Sequence, residues 1–158
     1  MKNNTFDIID SFKAKPLDEL ISKIEEKKHE GPEVNALIEQ YLDAHPIDIE
    51  EFPKIDGSYS RNVIYEDDVG FQLLITRWSS GAKTPEHSHH DFLFVHVVEG
   101  SIKEGIYRKT GEPLEAKPQH HTEGDYIFSY EPDYTTPHHL HTMHARTDSL
   151  CFHVYSKN

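Results

Sequence analysis

Two hydrophobic periods divide the chain. Over residues 1–56 the apolar positions recur at helical intervals, with Leu17, Leu20, Ile21 and Ile24 at i, i+3, i+4 and i+7 behind Pro16, a residue suited to a first turn. The charged run Glu25 to Glu30 and then Gly31-Pro32 end that helix. A second is expected from Pro32 to about Ala44, with Val34, Leu37, Ile38, Tyr41 and Leu42 on one stripe. It closes at His45-Pro46, because the residue before a proline is pushed out of the α region. The whole of residues 1–56 therefore reads as a helical segment.

From Tyr59 onward the pattern changes to short runs of Val, Ile, Phe, Tyr and Thr separated by Gly, Asp and Pro turns. Strands are expected over 61–66, 69–78, 92–98, 101–108, 125–130 and 149–156, which suggests a β sandwich or jelly roll. The last of these alternates most cleanly. Leu150, Phe152 and Val154 fall on one face and Cys151, His153 and Tyr155 on the other. One face belongs in a core, and the other lines up a thiol, an imidazole and a phenol able to exchange hydrogen bonds, as an active-site wall would.

A chain of 158 residues supports one domain with a real core, so a single domain is expected, with the helical segment 1–56 packed on a β barrel formed by 57–158. The net charge of −12 repels phosphate backbones and anionic lipid, which argues against nucleic acid and membrane partners. No run of about 18 apolar residues exists, and the first residues lack a signal-peptide apolar segment. A single cysteine, Cys151, excludes an internal disulfide and Cys-rich zinc sites, and the expected location is the cytoplasm.

The 13 histidines cluster at 87/89/90, 120/121 and 138/139/141/144. His87 and His89 are two apart, so on an extended chain they point to the same side, roughly 7 Å apart, and can converge on one metal ion. His138, His139, His141 and His144 are all candidates for a third ligand, and spacing alone does not choose among them. A neutral three-histidine site suits Fe(II) with a thiolate and O2 in its open positions, or zinc with a bound water.

Gly81, five residues, His87-x-His89 and then Gly100 fit the first motif of the cupin barrel, except that Leu93 stands where a glutamate ligand is usual. Four stretches extend the likeness. They are Tyr59-Ser-Arg61-Asn62; Trp78 with Gly81 and His87-Ser-His89; Gly100-Ser-Ile-Lys-Glu104; and Leu140-His141 with His153-Val-Tyr155-Ser156. With these the chain resembles the cysteine dioxygenases, cupin-fold enzymes that convert cysteine to cysteine sulfinate.

The resemblance implies that His87, His89 and His141 bind Fe(II), that Arg61 holds a substrate carboxylate with support from Tyr59, and that Tyr155 presents its hydroxyl to the bound thiol and O2, oriented by His153. It also puts Cys151 where the family usually has a serine beginning this relay. Vertebrate members crosslink a cysteine of the His-x-His strand to the active-site tyrosine. No cysteine stands near Leu93 here, so no such crosslink is expected. The implied partners are a small carboxylate thiol, cysteine first, and O2. The alternatives are 3-mercaptopropionate or another thiol as substrate, or a non-enzymatic metal-binding cupin.

Overall fold

The structure is a computed structural model and describes residues 5–7, 16–67, 70–85, 87–88, 92–107, 119–130 and 140–156. Both expected helices form. Helix α1, Leu17–Lys27, buries Leu17, Leu20, Ile21 and Ile24, and α2, Gly31–Ala44, buries Val34, Ile38 and Tyr41. The second helix ends as the proline predicts, with the His45 amide donating to the Tyr41 carbonyl at 2.8 Å.

The helical reading of residues 1–56 was too broad at both ends. Strand β1, Thr5–Asp7, runs parallel to β2, Tyr59–Glu66, with Thr5 opposite Arg61 and Asp7 opposite Val63. Three residues are too few to register as a period, and their pairing comes from an edge supplied more than fifty residues away. After Ala44, only a single 3-10 turn, Ile49–Glu51, interrupts the irregular backbone up to β2. Pro46 and Pro53 bar a continuous helix there, and Asp48 caps the short turn by accepting from the Glu50 amide at 3.0 Å.

The remaining strands are β3 Phe71–Trp78, β4 His87–Ser88, β5 Phe92–Glu99, β6 Ser101–Tyr107, β7 Gln119–Thr122, β8 Tyr126–Tyr130, β9 Leu140–Ala145 and β10 Ser149–Ser156. Six form one sheet in the order β1-β2-β3-β10-β5-β8, and four form a second in the order β4-β9-β6-β7. Every expected strand is present with small shifts at its ends. Strands β1, β4, β7 and β9 were not anticipated.

Two cores give the molecule three layers. On one face of the six-stranded sheet, Leu73, Ile75, Phe92, Phe94, Leu150, Phe152 and Val154 pack against the apolar stripes of α1 and α2. On the other face, Trp78, Leu93, Val95, Val97 and Cys151 meet Ile102, Met143 and Ala145 of the four-stranded sheet. A sheet covered on both faces explains why 92–97 is buried without alternation and is apolar at every position but His96. Asn35 of α2 also reaches the sheet, its Oδ1 lying 2.8 Å from His96 Nδ1, and burial pushes that imidazole below its ordinary pKa against the pull of Glu39 and Asp125. No helix among the described residues is long and apolar enough to cross a membrane.

The chain passes between sheets at glycines with positive φ, Gly81 and Gly100 among them. Gly81 (φ 88°) opens the crossing after β3, where its amide donates to the Ala145 carbonyl at 2.8 Å and the Thr84 amide donates to Met143 at 2.9 Å, laying 81–84 along β9. Gly100 (φ 96°) turns β5 into β6, and a Cβ there would collide with Ser149 Oγ and lie 2.6 Å from the Asp148 carbonyl oxygen. Gly100→Ala is expected to lower stability by at least about 2 kcal/mol, combining backbone strain with a clash against main chain. Urea unfolding measures this, and an unchanged midpoint would contradict the close approach.

Candidate active site

A cavity of about 250 Å³ opens between the sheets. Its wall is built from inward-facing positions: Tyr59 and Arg61 of β2, Thr76 and Trp78 of β3, Leu93 of β5, Met143 of β9, and His153 and Tyr155 of β10, with Thr84 and Pro85 from the crossing segment. Strand register brings these together. Tyr59 lies opposite Trp78 and Arg61 opposite Thr76, while Tyr155 lies opposite Leu93. The Tyr59 ring stacks on Trp78 with centroids 4.4 Å apart. Four of the predicted residues, Tyr59, Arg61, His153 and Tyr155, thus share one cavity.

A chain of hydrogen bonds runs along one wall. Tyr155 Oη is 2.5 Å from His153 Nδ1, His153 Nε2 is 2.6 Å from Thr76 Oγ1, and Trp78 Nε1 donates to the same Thr76 oxygen at 2.7 Å. Tyr155 is half-buried as a residue. Burial pushes that phenol well above its ordinary pKa, with the Arg61 guanidinium pulling the other way, so at neutral pH it holds its proton.

Cys151 does not line the cavity. It is fully buried directly opposite Thr76 in the β3–β10 pairing, and burial pushes its thiol up to about 12 although the Thr76 hydroxyl opposes this. It is a neutral thiol. The period-two alternation puts Cys151 on the His153 face, but it stands beside Thr76, which lines the cavity as the thiol does not.

His141 is 1% exposed, and its Nδ1 lies 3.1 Å from Oε2 of Glu104, a carboxylate that is itself only 3% exposed and bonded through Oε1 to His121 Nε2 at 3.2 Å. Burial works against charge on Glu104, but the hydrogen bonds and attraction of His121 and His141 outweigh it and hold the carboxyl at about 2. An ionised carboxylate accepts at both oxygens, so Nδ1 of His141 carries a proton, and in the neutral imidazole Nε2 is the nitrogen with the lone pair a metal requires. A histidine oriented by a carboxylate in this way is the usual form of a metal ligand.

The backbone of His87 in β4 lies directly opposite His141 in β9, so two of the expected ligands are cross-strand neighbours. His89, His90, His138 and His139 lie outside the described residues. Among the described residues no group of three metal-binding side chains is assembled. The observed part of the donor set, a buried His141 backed by Glu104 and paired in register with His87, fits a histidine-bound metal ion. His144 falls on the opposite face of β9, half-buried beside Lys103.

Glu104, His121 and Thr76 were given no role from the sequence. One signal for Glu104 was available: it alternates with Ile102 and Ile106, so a carboxylate falls in phase with inward apolar residues. Thr76 similarly falls between Leu74 and Trp78 on one face of β3. For His121 only its pairing opposite Ile102 reveals the inward face.

The family model described as Cysteine dioxygenase type I matches residues 8–157. The chain belongs to the cysteine dioxygenase type I family. Curated relatives include a cysteine dioxygenase type 1 of Danio rerio, 34% identical over 77 residues, a stretch covering 48% of this chain and 38% of that protein. Another is cysteine dioxygenase type 1 of Rattus norvegicus, 26% identical over 130 residues, which cover 78% of this chain and 64% of that protein. The chain thus spans less than two thirds of the length of either relative.

Solved structures support the cupin fold of this cysteine dioxygenase family member. A cupin superfamily protein of Desulfitobacterium hafniense superposes with TM-score 0.53 at 8% identity, covering 70% of this chain and 87% of that one. A double-stranded β-helix protein of Klebsiella pneumoniae gives 0.53 at 14% identity, covering 74% and 88%.

Replacing Glu104 by Ala strips the buried His141 and the partly exposed His121 of their acceptor. The expected loss is about 2–4 kcal/mol in urea unfolding of the metal-free protein. Glu104→Gln, which keeps one carbonyl acceptor, should lose less. Equal stability of all three proteins would show that the carboxylate does not hold the histidines.

Proposed function

We propose that the protein is an Fe(II)-dependent thiol dioxygenase that adds O2 to the sulfur of a small carboxylate thiol, with L-cysteine to cysteine sulfinate as the first assignment. The observation that carries this reading is Arg61 and the Tyr155–His153 pair on one cavity wall, in a chain of the cysteine dioxygenase family. His87, His89 and His141 would hold the iron, His141 being oriented by Glu104. The bound metal supplies the activation of oxygen and its transfer to sulfur.

The chain's own residues divide the remaining work. The planar guanidinium of Arg61 forms paired hydrogen bonds to a carboxylate, and Tyr59, held by its stack on Trp78, narrows the cavity beside it. Leu93, Met143, Pro85 and the Trp78 ring exclude water, which strengthens the polar contacts made inside. Tyr155 offers a protonated hydroxyl to the reacting groups, and His153 fixes its direction. Cys151, buried and neutral, takes no direct part.

Protein reconstituted with Fe(II) should consume O2 in proportion to added cysteine and form the sulfinate. Comparison with 3-mercaptopropionate and cysteamine in an oxygen electrode ranks the substrates. Faster turnover of 3-mercaptopropionate would reassign the thiol, and no uptake with any of the three would favour a metal-binding module without enzymatic activity. Arg61→Ala should raise KM for a carboxylate thiol by roughly 10- to 100-fold, the cost of one charge-assisted contact. An unchanged KM would put the carboxylate elsewhere.

A further inference from the structure

Thr76 belongs to β3, outside every motif that pointed to the site, yet its hydroxyl ends the chain of hydrogen bonds that starts at Tyr155. Its surroundings allow a full count of donors and acceptors. A threonine hydroxyl has one proton to give and two lone pairs. Trp78 Nε1–H can only donate, so at 2.7 Å it takes one lone pair. The neutral thiol of Cys151, opposite Thr76 in the strand pairing, is a weak donor and a weak acceptor. His153 Nε2, at 2.6 Å, is the remaining partner.

Two arrangements are possible. If His153 carried its proton on Nε2, it and Trp78 would fill both lone pairs of Thr76, and the threonine proton would face only sulfur. In a residue that is 2% exposed, that leaves a buried donor poorly satisfied. If Thr76 instead donates to Nε2, every group has a partner: Trp78 takes one lone pair, the thiol faces the other, and the strong acceptor receives the proton. We infer that Thr76 is a positioning residue that donates to His153 Nε2 and thereby fixes the imidazole proton on Nδ1, where it is donated to the Tyr155 oxygen.

The consequence lies at the phenol. An oxygen that accepts from His153 keeps its own proton and directs it away from the imidazole. Tyr155 then acts as a hydrogen-bond donor in the cavity and is not drained of its proton by His153. Trp78 contributes twice, through its ring on the wall and through the N–H that orients Thr76. The hydroxyl that sets this direction therefore sits on β3 and not at position 151 of β10.

The kinetic side of this inference rests on the thiol dioxygenase reading, but the tautomer does not. Nitrogen-15 NMR of the imidazoles in the metal-free protein, with His153 assigned by His153→Gln, should show His153 with its proton on Nδ1. A proton on Nε2 in the unsubstituted protein overturns the inference, whatever the activity. Thr76→Val should move His153 towards the Nε2–H form, whereas Thr76→Ser and Cys151→Ala should keep the Nδ1–H form. A shift caused by Cys151→Ala and not by Thr76→Val would hand the role to the thiol and overturn it as well.

In the iron-loaded protein, Thr76→Val should lower kcat for the thiol about tenfold with KM little changed, and Thr76→Ser should restore it. Loss of KM alone would mark Thr76 as a binding residue and contradict the inference. Absence of oxygen uptake in the unsubstituted protein would remove the dioxygenase reading and leave the tautomer result standing.

Discussion

Everything in this fold depends on β10 being packed on both sides. It lies between β3 and β5 in the middle of the larger sheet, and each of its faces is closed by a different partner. Leu150, Phe152 and Val154 are driven against the helices by burial of apolar surface. Because side chains alternate with period two, that choice forces Cys151, His153 and Tyr155 to the opposite side. A slip of one residue would bury the imidazole and the phenol among helical leucines, so the hydrophobic face sets the register that positions the polar one.

Polar groups on the inner face survive only because each finds a partner. His153 spans Tyr155 and Thr76, and Trp78 completes the set. On the facing sheet Glu104 does the same for His121 and His141. Left alone, a buried carboxylate would take up a proton, but two imidazoles keep it ionised. The same contacts stiffen His141, so what satisfies the fold also prepares a nitrogen lone pair for a metal ion. The charge absent at Leu93 thus reappears one layer further out, at Glu104.

The helices, the strands β2, β3, β5, β6, β8 and β10, and the face of β10 that bears His153 and Tyr155 were all legible in the sequence, because each is a local period read against burial. The motif residues Tyr59, Arg61, His153 and Tyr155 were also named in advance, and they share the cavity wall. The short strands β1, β4 and β7 escaped because a strand of two to four residues has no period of its own.

Only the tertiary structure decided which groups touch. Cys151 and Thr76 are separated by 75 positions, and nothing local to either tells that the threonine lines the cavity and meets His153 while the thiol does not line it. Glu104 and His141 likewise meet only through the β6–β9 pairing. The sequence determined which face each residue takes, since alternation is a property of the strand alone. Register between distant strands is set by the turns at Gly81 and Gly100 and by the packing of both cores together, and it is this register that selects each side chain's partner.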